Sequence, residues 1–369
     1  MQLVKAPRDA LLKPLTIVAG IVERRHTMPI LANVLIRKAG ERVSFITTDN
    51  EVQITTHADF GVGGGKEETT VAARKFVDIL RALSDNADVT VSHEANRMAI
   101  TAGRSRFQLQ TLPAIEFPTI AVPEQWSITT TLPQAALREL INMVHFSMAV
   151  QDIRYYLNGM LLEFEGNHIN AVTTDGHRLA VHSIQVDTPF ETRQDVIVPR
   201  KTVLELQRLL SESDEPVTID VAGNQIRFRF ENVEFVSKLV EGKFPDYKRV
   251  IPAGYHKQFD IERETLLRTL QRVAILTTDK FKGVRLQLAD HTLRVSASNT
   301  EQEEAQEELE VEFNFEPLDI GFNVGYLLDV LGNLKSERVK WALGDASSSA
   351  LLTIPDDDNF KYVVMPMRI

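Results

Sequence analysis

TTDNE (47–51), TTDGH (173–177) and SASNTE (296–301) are three short segments that recur at nearly equal intervals along this chain. Asp49, Asp175 and Asn299 hold the same place in the three segments, at steps of 126 and 124 residues. Self-similarity at a fixed spacing indicates a repeated structural unit. The spacing therefore predicts that the chain contains three copies of one domain.

Two further sets of residues keep this spacing: Asn33, Asn158 and Lys282 at the start of a strand, and Asp78, Glu205 and Asp329 within a helix. Pro-bearing segments at 117–125 and 250–258 stand where one copy ends. We therefore predict three domains, which cover the following residues: 1–122, 127–252 and 255–369.

Each copy is predicted to contain two amphipathic helices among short strands. Leu11, Pro14, Leu15 and Val18 follow helical spacing in the first copy, although Pro14 predicts a kink or a late start. The second helices carry an apolar stripe and, in the first two copies, a basic opposite face with Arg74, Arg81, Lys201 and Arg208. Many strands with two helices per copy favour an α+β fold with antiparallel sheets.

The composition is that of an ordinary globular chain, with 43% hydrophobic and 25% charged residues. The formal net charge of −10 argues against a protein that coats nucleic acid with its whole surface. The absence of cysteine excludes disulfides, thiolate zinc sites and a cysteine nucleophile. No apolar run has the length of a membrane span, and no secretory signal is visible, so we expect a cytoplasmic protein without membrane partners.

A dense polar cluster at 175–178 allows two interpretations. Asp175 could orient His177 as the general base of a metal-free hydrolase. Alternatively, Asp175-Gly176 is a turn between two strands, which is the interpretation we favour because turn residues recur in all three copies. The histidine spacing shows no metal motif, and GVGGGK (61–66) lacks the Ser or Thr of a phosphate loop. We therefore expect no cofactor, no metal and no catalytic residues.

Arg154, Tyr155 and Tyr156 place a cation beside two aromatic rings, a combination typical of nucleic-acid contacts. The alternative is that the tyrosines belong partly to the core.

Several longer motifs resemble the beta subunit of bacterial DNA polymerase III, the sliding clamp family: RYYLNGMLLE (154–163), TDGHRLAVHS (174–183), VIVPRK (196–201), SKLVEGKFPDYKRV (237–250), GFNVGYLLDVL (321–331) and YVVMPMRI (362–369). The resemblance covers essentially the whole chain. It implies a non-catalytic processivity factor: two chains close head to tail into a six-domain ring around double-stranded DNA, which is held without sequence preference.

The resemblance also implies three groups of functional residues. The DNA contacts and basic lining of the ring would be Arg25, Arg74, Arg81, Arg138, Gln151, Tyr155, Tyr156, Arg200, Lys201 and Arg208. The dimer interface would comprise Lys75, Arg104, Arg106, Phe107, Leu109, Ile275, Leu276, Glu301, Glu303 and Glu304. The alternative for the apolar members of this interface is a place in the core of their own domain.

The third group would be a peptide pocket between the second and third domains. It would comprise Arg154, Leu157, Thr174, Gly176, His177, Arg178, Leu179, Pro245, Arg249, Val250, Asn323, Tyr326, Ser349, Val363, Met365, Pro366, Met367 and Arg368. Implied partners are the polymerase III alpha subunit, the clamp loader, and other DNA polymerases and repair proteins that carry short peptide motifs. A protein-binding repeat scaffold without nucleic acid is the remaining alternative.

Overall fold

A computed structural model of the chain describes residues 1–23, 28–278 and 281–369. The chain forms two compact units. The first unit contains Met1–Leu137 and Leu204–Leu239, and the second contains Arg138–Val203 and Val240–Ile369. The three predicted domain ranges remain a prediction, because the compact units follow continuous sheets and not the sequence repeat.

The described residues contain six α-helices: α1 (Arg8–Val18), α2 (Ala73–Ala82), α3 (Gln134–Asn142), α4 (Arg200–Leu209), α5 (Arg263–Val273) and α6 (Val324–Asn333). Two helices per copy were predicted, and the pattern is confirmed. The late start at Pro14 is wrong, since α1 begins at Arg8 and continues through that residue. Pro14 is buried with Leu11 and Leu15, so apolar burial offsets the missing backbone hydrogen bond. None of the described helices is long and apolar enough to cross a membrane.

The first unit holds one antiparallel sheet of twelve strands, in the order β1-β6-β7-β8-β5-β2-β3-β4-β14-β13-β12-β9. Its strands are β1 (Gln2–Pro7), β2 (Asn33–Ala39), β3 (Arg42–Thr48), β4 (Val52–Asp59), β5 (Lys66–Ala72), β6 (Asp88–Glu94), β7 (Arg97–Ala102), β8 (Ser105–Leu112), β9 (Ile128–Pro133), β12 (Pro216–Ala222), β13 (Gln225–Phe230) and β14 (Val233–Lys238). In β9 buried and exposed residues alternate, as the two-residue period of a strand with one core-facing side requires.

The second unit holds a six-stranded sheet, β10-β11-β22-β21-β20-β15, and a four-stranded sheet, β18-β17-β16-β19. The strands are β10 (Gly159–Thr174), β11 (Arg178–Pro199), β15 (Lys257–Glu262), β16 (Gly283–Ala289), β17 (Thr292–Ser298), β18 (Glu304–Glu310), β19 (Leu318–Asn323), β20 (Arg338–Leu343), β21 (Ala350–Ile354) and β22 (Asp357–Val364).

Strand pairing joins one sequence copy to the next inside each unit. In the first unit, β4 of the first copy pairs with β14 of the second, with Ile54 opposite Phe235. In the second unit, β11 pairs with β22, with Arg178 opposite Val364. Unpaired strand edges can pair with other chains, so each of these pairings removes two exposed edges.

The repeated Asp and Asn residues cap three equivalent turns. In each turn, Oδ1 of that residue accepts two backbone N–H groups: Glu51 and Val52 to Asp49, His177 and Arg178 to Asp175, and Glu301 and Glu303 to Asn299. A short Asp or Asn side chain satisfies turn donors in this way. The predicted turn at 175–177 is confirmed, and the repeat has a physical cause.

Candidate functional site: an apolar groove at the carboxyl-terminal strand

A cavity of about 240 Å³ opens in the second unit beside the end of β22. Twelve of the residues predicted for a peptide pocket line it: Arg154, Leu157, Thr174, Gly176, His177, Arg178, Leu179, Pro245, Val250, Ser349, Val363 and Met365. We call this cavity the groove. Its floor is apolar, because Leu157, Leu179 and Val363 are buried in one hydrophobic cluster.

The turn at 175–177 forms one rim of the groove and requires glycine. Gly176 has a φ of +89°, and a Cβ there would lie 2.9 Å from the guanidinium of Arg154. The Arg154 guanidinium donates to the carbonyl of Asp175 at 3.2 Å and to the Asp152 carboxylate at 2.8 Å. Hydrogen bonds from Arg154 lower the pKa of Asp152 to about 2. The rim is thus held in place by local hydrogen bonds to charged groups.

Asp175 is committed to this turn and does not orient the ring of His177. Its Oδ1 accepts the backbone N–H groups of His177 and Arg178 at 2.9 and 3.1 Å, and its Oδ2 accepts Nε of Arg178 at 3.1 Å. The hydrolase interpretation requires Asp175 to orient the ring of His177, and no such contact is present among the described residues. The hydrolase interpretation therefore has no geometric support.

Arg178 links the turn to α6. Its side chain is 10% exposed, and Nη1 donates to Asp329 at 2.5 Å. The guanidinium carbon lies 4.3 Å from the ring centroid of Tyr326, within the range of a cation–π interaction. The guanidinium of Arg178 is therefore held in one position at the side of the groove.

The carboxyl-terminal segment is held by backbone hydrogen bonds on both sides of Pro366. The N–H of Met365 donates to the carbonyl of His177 at 2.9 Å, and the N–H of Met367 donates to the carbonyl of Gly321 at 2.7 Å. A Cβ at Gly321 would lie 2.5 Å from both Ile369 and the Met367 carbonyl. This anchoring presents Met365, 49% exposed, at the mouth of the groove.

Six residues predicted for the pocket do not line this cavity: Arg249, Asn323, Tyr326, Pro366, Met367 and Arg368. Asn323 instead caps α6 by accepting the N–H of Gly325 at 2.9 Å, and Tyr326 packs under Arg178. The lining also includes Asp246 and Tyr247, which sequence reasoning missed. Their signal was present in the FPDYKRV motif, from which only the flanking positions were selected.

The predicted DNA contacts have varied surroundings. Arg25 lies outside the described residues. Arg74 donates to the carbonyl of Val22 at 2.6 Å, and Arg208 donates to the carbonyl of Ile17 at 3.1 Å. Arg81 is exposed, with Asp78 3.9 Å away.

In the second unit, Tyr155 is 56% exposed, whereas Tyr156 lines the groove. Gln151 is exposed, with a φ of +55°. Arg138, Arg200 and Lys201 are half-buried. Burial, followed by the nearby charge of Arg178, lowers the pKa of Arg200.

Several of the predicted interface residues lie on or beside the edge strands β8 and β18. Phe107 and Leu109 are half-buried on β8 and lie beyond its short pairing with β5, which joins only 111–112 to 70–71. Ile275 is 76% exposed, so it does not belong to the core of its own domain. Leu276 is half-buried. The charged members are exposed: Lys75, Arg104, Arg106, Glu301, Glu303 and Glu304.

Comparison with known proteins gives matches along almost the whole chain. Three consecutive segments match the N-terminal, central and C-terminal domains of the DNA polymerase III beta subunit, at residues 3–121, 131–246 and 248–368. The beta sliding clamp of Pseudomonas aeruginosa is 48% identical over 362 residues, and that of Escherichia coli is 44% identical over 364, with 98% of each chain covered. The crystal structure of the P. aeruginosa sliding clamp bound to griselimycin matches with a TM-score of 0.96 at 47% identity, covering 100% of both chains.

The repeated two-helix copies and their antiparallel sheets define a protein of the DNA-clamp class. The predicted fold class is confirmed by these neighbours. The chain belongs to the family of DNA polymerase III beta subunits, the beta sliding clamps, which are processivity factors and not enzymes. The resemblance stated from the motifs is thereby confirmed.

Proposed function

We propose that two copies of this chain close head to tail into a ring around duplex DNA, and that the groove docks short peptides from its protein partners. Those partners are the polymerase III alpha subunit, the clamp loader, and other DNA polymerases and repair proteins. The ring works in the cytoplasm, where its DNA is located. Docked polymerases stay on the template because a closed ring can leave the DNA only at a free end.

The observation that carries this proposal is the groove itself. The segment that follows β22 is bonded into the rim of an apolar cavity through the N–H of Met365. Leu157, Leu179, Val363 and Met365 offer surface for aliphatic side chains, and the flexible thioether adapts to different ones. Arg154, His177 and Arg178 offer polar contacts around this floor. The combination suits a linear peptide with a few large apolar residues.

Ring closure is supported by two strand edges of opposite charge. Within the described chain, β8 is paired along 105–110 only with β7, and β18 is paired only with β17. Exposed edges of this kind are templates for pairing with another chain. Arg104 and Arg106 accompany the first edge, and Glu304 begins the second. Head-to-tail closure would bring the two edges together.

DNA binding is supported by the basic side chains of α2 and α4 and by exposed Tyr155. Contacts of arginine and lysine with phosphates carry no sequence information, which permits sliding. DNA retention tests this part. The loaded protein should remain on nicked circular DNA and be lost on linearisation. Equal retention on both forms, or none on either, would leave only a protein-binding scaffold.

A truncation tests the groove. Deleting Met365–Ile369 removes the mouth of the groove while leaving β22 and the predicted closure residues intact. Calorimetric titration with a polymerase tail peptide that contains Gln and Leu should show binding to the full chain and none to the truncated chain. Sedimentation of the truncated chain as a dimer provides the control. Equal affinity for both proteins would refute docking in the groove.

A further inference from the structure

Glu163 is a fully buried carboxylate on β10 that has no part in the groove lining. Its Oε1 accepts Nδ2 of Asn170 at 2.8 Å and the hydroxyl of Tyr247 at 3.1 Å. The ammonium of Lys248 lies 3.4 Å from the same oxygen, and Arg193 donates to Oε2. A buried charge is tolerated only when paired and hydrogen-bonded, and every one of these partners is polar.

Two of these partners belong to a wall of the groove. Tyr247 and Lys248 form a short 3-10 helix with Arg249, and Pro245, Asp246, Tyr247 and Val250 line the cavity. The Tyr247 ring is 7% exposed within the apolar cluster below the groove, and its hydroxyl points to Glu163. Burial, followed by the charge of Glu163, raises the pKa of Tyr247, so the phenol remains a hydrogen-bond donor.

In the first copy, the segment that corresponds to 244–250 begins at Phe117 and is held by a different contact. Ile120 follows Phe117-Pro118 as Tyr247 follows Phe244-Pro245. The N–H of Ile120 donates to the side-chain oxygen of Gln53 at 2.9 Å.

Gln53 stands four residues after Asp49, and its counterpart four residues after Asp175 is Leu179. The side chain of Leu179 cannot accept a hydrogen bond, and it lines the groove. In the second copy, therefore, the segment 244–250 is held by the hydrogen bond from Tyr247 to Glu163, which lies outside the groove lining. The side chain of Leu179 leaves the groove side of this segment without an equivalent hydrogen bond.

We propose that Glu163 is a positioning residue for peptide binding: it holds the Pro245–Val250 wall through Tyr247 and Lys248 and so keeps the groove open. This inference rests on the proposed peptide docking. Under this proposal, a buried carboxylate outside the groove lining controls the affinity of the groove for peptides. Ring closure and DNA contact do not depend on it.

Tyr247→Phe tests the proposal because it removes one hydroxyl and keeps the buried ring. The polymerase tail peptide is titrated into the full-length variant. We expect about tenfold weaker binding, as the loss of one hydrogen bond to a charged group implies. Amide hydrogen exchange should accelerate at 244–250 and stay unchanged in β22. Retention on nicked circular DNA should equal that of the unmodified chain.

Two control variants accompany the test. Tyr255→Phe makes the same change at a tyrosine whose ring packs against Gly344 outside the groove. Glu165→Gln is the control for Glu163→Gln. It alters a neighbouring carboxylate that is 47% exposed and lies 3.5 Å from the ammonium of Lys248. Both controls should bind the peptide within twofold of the unmodified chain, whereas Glu163→Gln, which removes the charge but keeps one acceptor oxygen, should weaken binding less than Tyr247→Phe and more than either control.

The outcomes separate the two proposals. If the unmodified chain does not bind the peptide, the proposed docking function fails, and this inference fails with it. If it binds and Tyr247→Phe binds equally well, only the role of Glu163 is overturned. Loss of peptide binding together with loss of DNA retention would also overturn that role, since the defect would then be one of general folding.

Discussion

Single residues decide which of the equivalent turns carries a groove. Asp49 and Asp175 each accept the backbone N–H groups of the residues two and three positions further along the chain, so the two turns share one geometry. Four residues further on, Gln53 binds the backbone of the neighbouring segment, whereas Leu179 is 3% exposed and faces the cavity. The polar side chain thus holds its neighbouring segment, whereas the apolar side chain forms part of the groove.

Leu179→Gln should therefore impair the groove. The introduced amide can accept the N–H of Tyr247 as Gln53 accepts that of Ile120, and it places a polar group on an apolar floor. We expect the dissociation constant of the tail peptide to rise at least tenfold in calorimetry. The matched change Gln53→Leu, in the first unit, should leave peptide affinity unaltered. Undiminished affinity of Leu179→Gln would contradict this explanation of the groove.

At the scale of elements, the pairing of β11 with β22 places the carboxyl-terminal strand on the middle copy. His182 lies opposite Phe360 in this ladder and is 5% exposed. Among the described residues its Nδ1 has no hydrogen-bond partner. Burial lowers the pKa of His182, and the charges of Glu139 and Asp357 oppose the shift without reversing it.

The stability of this pairing should therefore depend on pH. Below about pH 6.5, the usual histidine value, the unfolded chain binds a proton that the folded chain excludes until its own lower pKa is reached. Stability thus falls as pH decreases through that window. We expect the melting temperature to drop between pH 7.5 and pH 5.5, and to drop less in His182→Gln. Identical drops in scanning calorimetry would show that His182 does not contribute.

At the scale of the whole molecule, an acidic chain keeps basic groups beside one sheet edge. Arg104 and Arg106 accompany β8, while β18 carries Glu304, Glu307, Glu308 and Glu310. Opposite charge on two edges favours pairing between different edges over pairing of like edges. This arrangement supports a closed head-to-tail dimer, which contains the same interface twice.

The double substitution Ile275→Ala, Leu276→Ala should convert the dimer to monomers. Burial of each such side chain is worth about 1.5 to 3 kcal/mol, and the loss occurs at both interfaces of the ring. Analytical ultracentrifugation measures the change, with circular dichroism to verify folding. Ile115→Ala alters another exposed isoleucine, 95% accessible and outside the predicted interface, and should leave the dimer intact. A dimer that survives the double substitution would exclude Ile275 and Leu276 from the interface.

The helices and the turn beside the groove could be predicted from local sequence patterns. Helical periodicity and Asx turns depend on neighbours within a few residues, so the six helices and the turn at 175–177 followed from local patterns. The twelve groove residues were implied instead by the resemblance of longer motifs to the sliding clamp family. Asn323 and Tyr326, which the resemblance also implies for the pocket, lie outside this cavity: Asn323 caps α6 locally, and Tyr326 packs under Arg178, which is distant in sequence.

The sequence by itself determined the threefold repeat, the α+β class and the family, since each depends on the order and spacing of residues. Only the tertiary structure decided that sheets run from one copy into the next, and that Glu163 lies buried beneath Tyr247. The physical reason is that strand register and the partners of a buried charge are set by long-range pairing. Hydrophobic periodicity records which side of a strand is buried, but not which distant strand or side chain covers it.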